Sequence, residues 1–383
     1  MTDIADRIVM LLGDIVAIPS AYPPGNTVAL ADYLKAVFEK IGYRVGLHAE
    51  VDGLVNVVAS IGSGSPHLVF NAHIDTVDVE DRASWKTDPF RLTDVDGRLY
   101  GLGASNCKGS AAVHIWLAEE IARRGGPKQG TVTFTFVTDE ESLGEHGMAF
   151  LRKAGIVSPD MLCFGAPTSN TLITSERGVM WVAIEALGKA GHAGAPQSGD
   201  NAIQRMLRLI SHLDETLFPV IATRTEDGAV STCNLGKISG GSNTNVVPSR
   251  CRIELDRRLL PGETVTGAYR EIVDALEKSG EPHEKWSANL LCGTNGFASE
   301  KNGRMISALL EAVQEVTGKD PHFSSAVGAS DGRWFADDGV EIVNFGPGGA
   351  FEGHADNEFI SEIELIESAR IHLLFVERLH GLR

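Results

Sequence analysis

Histidine and carboxylate side chains that could bind a metal ion or transfer a proton follow three apolar stretches of the sequence. His73 and Asp75 follow the first stretch, Glu140 and Glu141 follow the second, and His354 lies in a glycine-rich loop after the third. Each pattern alone is common in ordinary turns and solvated loops. Loops at the carboxyl ends of parallel strands form one crevice, so side chains distant in sequence converge there. The shared position of these five residues therefore predicts a metal site.

The apolar stretches belong to an alternation of predicted strands and helices. Several of the strands are nearly continuous apolar runs, which is typical of a parallel sheet covered by helices on both faces. The sequence therefore predicts an α/β fold with a mostly parallel sheet. The strands are predicted at 43–49, 56–61, 67–72, 131–138, 160–165 and 340–346, and the helices near 3–17, 27–41, 108–124, 145–154, 301–317, 330–338 and 361–379.

The middle of the chain has a different pattern, β-α-β-β-α-β, which is long enough for a compact domain. We predict that a ferredoxin-like domain at 176–287 is inserted into a discontinuous catalytic domain formed by 1–175 and 288–383. The inserted strands are predicted at 179–187, 231–238, 245–258 and 283–290, and the helices near 200–216 and 263–279.

Composition excludes several classes of protein. The net charge of −17 argues against nucleic acid or an anionic membrane surface as a partner, because both require basic patches. No apolar run approaches the roughly 18 residues that span a bilayer, and the first 20 residues resemble an amphipathic helix more than a signal peptide. The five cysteines show no CxxC pairing, as expected of reduced thiols. We therefore expect a cytoplasmic enzyme with a small-molecule substrate.

The motifs together resemble one family over nearly the whole length of the chain. They are "HID", "GASNCKG", "DEES", "GAPTS", "GKAGHAG", "NTNVVPS", "ELDRRLLPGE" and "GPGG…GHADNE". The chain resembles the co-catalytic metallohydrolases that include acetylornithine deacetylase, succinyl-diaminopimelate desuccinylase, aminoacylase-1 and the glutamate carboxypeptidases. The resemblance implies a two-zinc catalytic domain with an inserted dimerisation or lid domain. It also implies hydrolysis of an amide bond in an N-acyl amino acid or small peptide.

The resemblance assigns roles to the residues at the strand ends. It implies that His73 binds one metal ion and that the Asp75 carboxylate orients its ring. Glu141 and His354 correspond to ligands of the other ion. Glu140 corresponds to the general base that takes a proton from the attacking water.

The resemblance also implies roles for the inserted domain and for the last loop. His192 corresponds to a histidine that reaches the active site of the partner subunit and stabilises an oxyanion. Asn245 and Arg258 correspond to residues that hold a substrate carboxylate, and Gly348 lies in the loop that approaches the substrate backbone. We therefore expect a homodimer.

Two positions depart from the family pattern. Asn106 stands where the family has an aspartate that bridges the two metal ions, and Ala166 stands where it has a carboxylate ligand beside His73. Two divalent ions about 3.5 Å apart repel by roughly 19 kcal/mol at an effective dielectric constant of about 20, and a bridging carboxylate attracts each ion by roughly 17 kcal/mol. A neutral amide lacks this attraction, so we expect one weakly bound metal ion or none. Asn106 could alternatively cap the helix that starts near residue 108.

Three interpretations of these departures stay open. The sequence could be a hydrolase disabled in the laboratory, a natural pseudoenzyme, or a natural enzyme that works without metal through Glu140. A decayed pseudoenzyme should also have lost Glu140, Asp75, His192 or Arg258, so this interpretation is the weakest. The corresponding functions are a metal-dependent amidohydrolase, a metal-independent enzyme with Glu140 as acid and base, and a non-catalytic binder of similar ligands.

Overall fold

A computed structural model of the chain describes residues 4–326 and 328–383, which form two compact units. Unit 1 comprises the described residues through Thr174 together with Ser299–Ser324 and Ser330–Arg383. Unit 2 comprises Ser175–Ala298 and the described part of Ser325–Ala329. The second boundary lies after the predicted residue 287, because the last strand of the inserted sheet continues to Thr294 and a short strand at Phe297–Ala298 follows it.

Alternating apolar stretches form the strands of the two main sheets. These are β1 (Arg44–His48), β2 (Asn56–Ser63), β3 (His67–His73), β4 (Gly130–Val137), β5 (Met161–Phe164), β6 (Leu172–Glu176), β7 (Gly178–Leu187), β8 (Thr232–Gly240), β9 (Arg250–Leu259), β10 (Trp286–Thr294) and β11 (Glu341–Asn344). Shorter strands lie at Ala21–Tyr22, Thr76–Val77, Thr93–Val95, Arg98–Tyr100, Gly191–His192, Thr225–Glu226, Ala229–Val230, Val246–Val247, Phe297–Ala298, Phe323–Ala326 and Phe359–Ser361.

Periodic apolar residues form the helices. They are α1 (Ile4–Val16), α2 (Val28–Lys40), α3 (Lys108–Arg123), α4 (Met148–Lys153), α5 (Ala202–Thr216), α6 (Phe218–Ala222), α7 (Val265–Glu277), α8 (Arg304–Thr317) and α9 (Glu362–His380). The helix predicted near 330–338 is instead a 3₁₀ helix at Asp331–Phe335. The strand predicted at 245–258 is divided, because Pro248 lacks the N–H that a continuous ladder needs.

The sheet of unit 1 has its predicted parallel strands at the centre and antiparallel strands at its sides. The order is β6-β11-β5-β3-β4-β2-β1, in which β11, β5, β3 and β4 are parallel to one another. The strands β2 and β1 are antiparallel additions on one side, and β6 is antiparallel to β11 on the other. The predicted α/β fold class is therefore confirmed, and the carboxyl ends of the four parallel strands lie at one edge of the sheet.

Unit 2 is the predicted ferredoxin-like fold. Its antiparallel sheet has the order β8-β9-β7-β10, and one face of the sheet packs against α5 and α7. Its hydrophobic core is separate from the core of unit 1, and alternate residues of β7, such as Met180, Val182 and Ile184, are fully buried in it. No helix of the described ranges is long and apolar enough to cross a membrane.

Two histidines lie in the apolar core of unit 1, far from water. His114 on α3 and His372 on α9 are almost completely buried, and their ring centroids lie 5.5 Å apart. The His372 ring also packs against Phe70, at a centroid distance of 5.6 Å. Burial lowers the pKa of His372 to about 4, although the Ser368 carbonyl opposes this shift. Burial and the nearby His372 both lower the pKa of His114 well below its usual value.

The burial of these two histidines predicts that the folded protein becomes less stable as the pH decreases. Below a pH of about 6.5 the unfolded chain binds protons that folded His114 and His372 exclude. The free energy of unfolding should therefore fall as the pH decreases from about 6.5 toward 4, by up to about 1.4 kcal/mol per pH unit for one such histidine. Urea unfolding of His372→Leu should show a shallower pH slope, whereas a change of the exposed His322 to Asn should keep the slope of the wild type. Equal slopes in all three proteins would contradict this account.

Candidate active site

His73 ends the central strand β3 and points its two ring nitrogens at different partners. Nδ1 donates to the backbone carbonyl of Asp75 at 3.0 Å, and Nε2 donates to Oδ1 of Asn106 at 3.2 Å. The Asp75 carboxylate lies 3.6 Å from Nδ1 and also accepts a hydrogen bond from the backbone N–H of Glu141 at 3.1 Å. The ring is thus oriented mainly by a backbone oxygen of Asp75, while the carboxylate of Asp75 fixes the turn that carries Glu141.

Glu140 and Glu141 lie in a tight turn after β4. Asp139 has a φ of +65° there, and its carboxylate accepts hydrogen bonds from Ser142 Oγ and from the backbone N–H of His146. A Cβ at Gly144 would lie only 1.8 Å from Asp139 Oδ2, so glycine is required at that position. The turn aims both glutamates at the edge of the sheet beside His73, where Glu140 Oε2 lies 3.8 Å from His73 Nε2.

Asn106 joins the two halves of the site. Helix α3 begins at Lys108 with Cys107 at its N-cap, and the Asn106 side chain turns into the site instead of capping the helix. Its Nδ2 donates to Glu141 Oε1 at 2.9 Å. His354 Nε2 lies 2.9 Å from Nδ2 and 2.9 Å from Glu141 Oε1, so the three atoms form a triangle.

The loop that carries His354 packs closely against the strand ends. Gly348 has a φ of +86°, and a Cβ there would lie 2.5 Å from Ser105 Oγ. The Gly348 carbonyl accepts from the backbone N–H of Ser169 at 2.7 Å. A Cβ at Gly353 would lie 2.9 Å from the Cβ of Asn106. Glycine at both positions therefore allows this loop to hold His354 against Asn106.

Glu358 fixes the segment that presents Asn106. Its carboxylate is buried and accepts backbone hydrogen bonds from Gly103, Ser105 and Asn106 at 2.7–2.8 Å. Burial raises the pKa of Glu358 to about 7, and the three N–H donors oppose this shift. In the sequence Glu358 is distinguished only as the last residue of the motif "GHADNE", and its structural role was not predicted.

Three other charged residues of this region were also missed. Asp331 and Arg333 of the 3₁₀ helix are buried, and burial raises the pKa of Asp331 although Arg333 opposes the shift. Lys108 is 1 % exposed and donates from Nζ to the carbonyl of Ile18 at 2.9 Å. Burial lowers the pKa of Lys108 to about 7. The signals in the sequence were the Asp-x-Arg of "SDGRW" and the Lys of "GASNCKG", charged residues inside otherwise small or apolar segments.

The electrostatics of the site centre on His73 and Glu140. Burial raises the pKa of Glu140 to about 8, His73 opposes this shift, and the carboxylates of Asp331, Glu141 and Asp75 add to it. Burial alone would lower the pKa of His73, but Glu140 and Asp75 outweigh it and hold this pKa well above its usual value. Both ring nitrogens of His73 face oxygen acceptors, and Glu140 is a carboxyl group that can exchange a proton near neutral pH.

The residues present do not fit a dinuclear metal centre. His73, Glu140 and Glu141 offer ligand atoms that all lie within 4.8 Å of one another. The family pattern, however, needs a charged bridge at position 106 and a carboxylate at 166. Asn106 supplies a neutral amide whose N–H group faces Glu141, and Ala166 supplies a methyl group. The donor set therefore lacks two of the carboxylates on which a pair of divalent ions depends.

Unit 2 carries the remaining predicted residues on its surface. Its exposed His192 accepts at Nδ1 from the backbone N–H of Gly194 at 3.0 Å. The short strand of His192 pairs with Val246–Val247, and the Asn245 carbonyl accepts from Ala193 N at 3.0 Å, so Asn245 lies beside the histidine turn. The Arg258 guanidinium lies on β9 and donates to both oxygens of Asp256 at 2.8 and 3.2 Å.

The fold, with its inserted ferredoxin-like unit, is that of the two-domain metallopeptidases. The sequence matches the model of peptidase family M20/M25/M40 over residues 69–378, and the chain belongs to this family. A probable succinyl-diaminopimelate desuccinylase of Staphylococcus aureus is 26 % identical, over 96 % of this chain and 97 % of the relative. Succinyl-diaminopimelate desuccinylase of Rhodospirillum centenum is 28 % identical, over 97 % and 96 %.

Solved structures of the same family share the fold. An M20 family metallo-carboxypeptidase from Sulfolobus solfataricus has a TM-score of 0.79 at 20 % identity, covering 98 % of this chain and 99 % of that one. A dinuclear metal binding M20 peptidase from Bacillus subtilis has a TM-score of 0.75 at 17 % identity, covering 99 % of both chains. The family predicted from the motifs is thus confirmed.

The contacts of Glu358 predict that its replacement by glutamine lowers the free energy of unfolding. In Glu358→Gln the new amide N–H₂ faces backbone N–H donors and leaves part of the buried cluster unsatisfied. We expect the free energy of unfolding at about pH 8 to fall by about 1–3 kcal/mol. Urea unfolding measures this loss, and the same change at the exposed Glu277 is the control. Equal stabilities of the two variants would show that Glu358 does not hold the Gly103–Asn106 segment.

Proposed function

We propose that this chain hydrolyses an amide bond in an N-acyl amino acid or small peptide that bears a carboxylate. The observation that carries the proposal is the pair of the buried His73 Nε2 and the partly buried Glu140 Oε2, 3.8 Å apart at the carboxyl end of the sheet. The names of the relatives, desuccinylase and carboxypeptidase, support the same substrate class. We propose that the chain binds one zinc ion weakly or none, because the set of ligands for two zinc ions is incomplete.

Glu140 is the proposed acid and base of the reaction. Its carboxylate takes a proton from water as the oxygen attacks the substrate carbonyl, and it returns a proton to the leaving nitrogen. A carboxyl group whose pKa lies near 8 is suited to both steps. His73, a donor through both nitrogens, is the proposed partner that holds Glu140 in place and supplies positive charge beside it.

We further propose that unit 2 supplies the groups that recognise substrate. Arg258 and Asn245 are proposed to hold the substrate carboxylate, for which Arg258 would exchange its intramolecular partner Asp256. His192 is proposed to serve the active site of the partner subunit, and Gly348 to bring a backbone group to the substrate. The support for these roles is the family resemblance of the motifs that contain them.

A homodimer joined through unit 2 is part of this proposal. Strand β8 lies at the edge of the unit 2 sheet, and most of its residues are exposed, including Ile238 at 56 %. A long exposed edge strand with apolar side chains favours pairing with another chain. Isologous pairing about a twofold axis is the commonest arrangement of such dimers.

The proposed role of Glu140 predicts a loss of turnover without a loss of binding. Glu140→Gln keeps the size of the side chain and removes its proton-transfer capacity, so hydrolysis should fall by about 10²–10⁴-fold. The measurement is kcat on a panel of N-acyl amino acids and dipeptides, together with product binding by calorimetry. Glu145→Gln in the same turn, where the side chain is exposed, should retain full activity. A wild-type protein that binds these ligands and hydrolyses none would instead be a non-catalytic binder.

The proposed dimer predicts both an assembly and shared active sites. Sedimentation at micromolar concentration should give a dimer for the wild type and a monomer for Ile238→Glu. Ile363→Glu, at an exposed position of unit 1, should leave the dimer intact. Mixed Glu140→Gln and His192→Ala chains should regain part of the activity in heterodimers. If verified heterodimers stay inactive, the site does not depend on the partner's His192.

A further inference from the structure

We propose that the Asn106 carboxamide takes the place of the bridged metal ions, so that the site works with no divalent cation bound. This inference rests on the proposed hydrolysis for its chemistry, but its evidence is the hydrogen bonding of Asn106 itself. The carboxamide contacts His73 on one side through Oδ1 and Glu141 with His354 on the other side through Nδ2.

The orientation of the amide is fixed by the Glu141 carboxylate, whose Oε1 accepts from Asn106 Nδ2 at 2.9 Å. If the amide turned by 180°, its oxygen would face Glu141 Oε1, and two acceptors would meet with no hydrogen between them, which is unfavourable in a buried site. With Nδ2 on the Glu141 side, Oδ1 accepts from His73 Nε2, while His73 Nδ1 donates to the Asp75 carbonyl. The hydrogens of Nδ2 therefore stay directed toward Glu141 and His354.

The same orientation disfavours a cation at the Glu141 half of the site. Glu141 Oε1 already accepts from Asn106 Nδ2 at 2.9 Å and lies 2.9 Å from His354 Nε2. A cation at this triangle would face N–H hydrogens on the amide side, because an amide nitrogen offers no lone pair. The amide cannot easily withdraw, because Gly353 packs so closely that a Cβ there would lie 2.9 Å from the Asn106 Cβ.

The His73 half of the site lacks ligands for a second reason. Position 166 carries a methyl group, and the loop at Gly346 packs against the Ala166 backbone, where a Cβ at Gly346 would lie 2.7 Å from the carbonyl oxygen. Both nitrogens of His73 are engaged as donors, so neither presents a lone pair to a metal ion. The His73 ring and the Glu141 carboxylate are thus each engaged by hydrogen bonds within the site.

The reaction that remains needs only water and the side chains present. The water oxygen forms a bond to the substrate carbonyl carbon while Glu140 takes the proton, and the C–N bond then breaks as Glu140 gives a proton to the leaving nitrogen. A donor from outside this hydrogen-bonded cluster, for which His192 is the proposed residue, stabilises the oxyanion in place of a cation. Atoms and charges balance without an oxidant, a reductant or a metal ion.

Zinc binding tests this inference without any assay of turnover. The full-length wild type, Asn106→Asp, Ala166→Glu and the double variant are loaded with zinc, passed through gel filtration and analysed for metal. We expect substoichiometric zinc in the wild type and two zinc ions per chain in the double variant. Asn201→Asp, which adds a carboxylate at the N-cap of α5, should bind as little zinc as the wild type. One or more zinc ions retained by each wild-type chain would overturn the inference.

Thermal unfolding gives a second readout in case a variant folds poorly. The melting temperature of the wild type should be the same in micromolar zinc and in a chelator, and calorimetric titration with zinc should show no saturable binding in that range. A zinc-dependent rise in melting temperature would contradict the inference. If the wild type binds no zinc and also hydrolyses no amide, the proposed function fails while the metal-free site stands. If the wild type hydrolyses amides and a chelator abolishes this activity, the proposed function stands and the metal-free site is contradicted.

Discussion

The burial of several carboxylates at one edge of a sheet is the constraint on which the rest of this site depends. Asp75, Glu140, Glu141 and Asp331 lie within a small volume largely removed from water. Buried carboxylates are stable only when they are paired or hydrogen-bonded. Here the balance comes from His73, from backbone N–H groups and from the Asn106 amide.

The fold supplies this balance through the parallel centre of its sheet. Strands β3, β4 and β11 end at the same edge, so the loops after them carry His73, the two glutamates and His354 to one place. A buried carboxylate, Glu358, then fixes the segment at Asn106 through three backbone N–H groups. Glycines in the last loop allow the close approach of its backbone to that segment. The geometry of the site thus depends on backbone contacts as much as on the residues that perform the chemistry.

The sequence was sufficient for the fold class, the family and the strands that carry the site, because apolar periodicity and strand ends are local properties. It was insufficient where a role depends on contacts between distant segments. Glu358, Asp331 and Lys108 resemble ordinary charged residues until the fold buries them. The departure at Asn106 was visible as a lost charge, but only the structure shows that its amide has partners on both sides. The end of unit 2 was misplaced because β10 continues past the predicted strand in residues that could equally form a loop.

The turn at His192 has a consequence for the chemical form of that histidine. Because Nδ1 accepts a hydrogen from the backbone N–H of Gly194, Nδ1 carries a lone pair and the proton of the neutral ring lies on Nε2. The turn therefore selects one tautomer, with an N–H at the far end of the exposed ring. The ring therefore offers a hydrogen-bond donor, and no acceptor, to a group that approaches it from outside the turn.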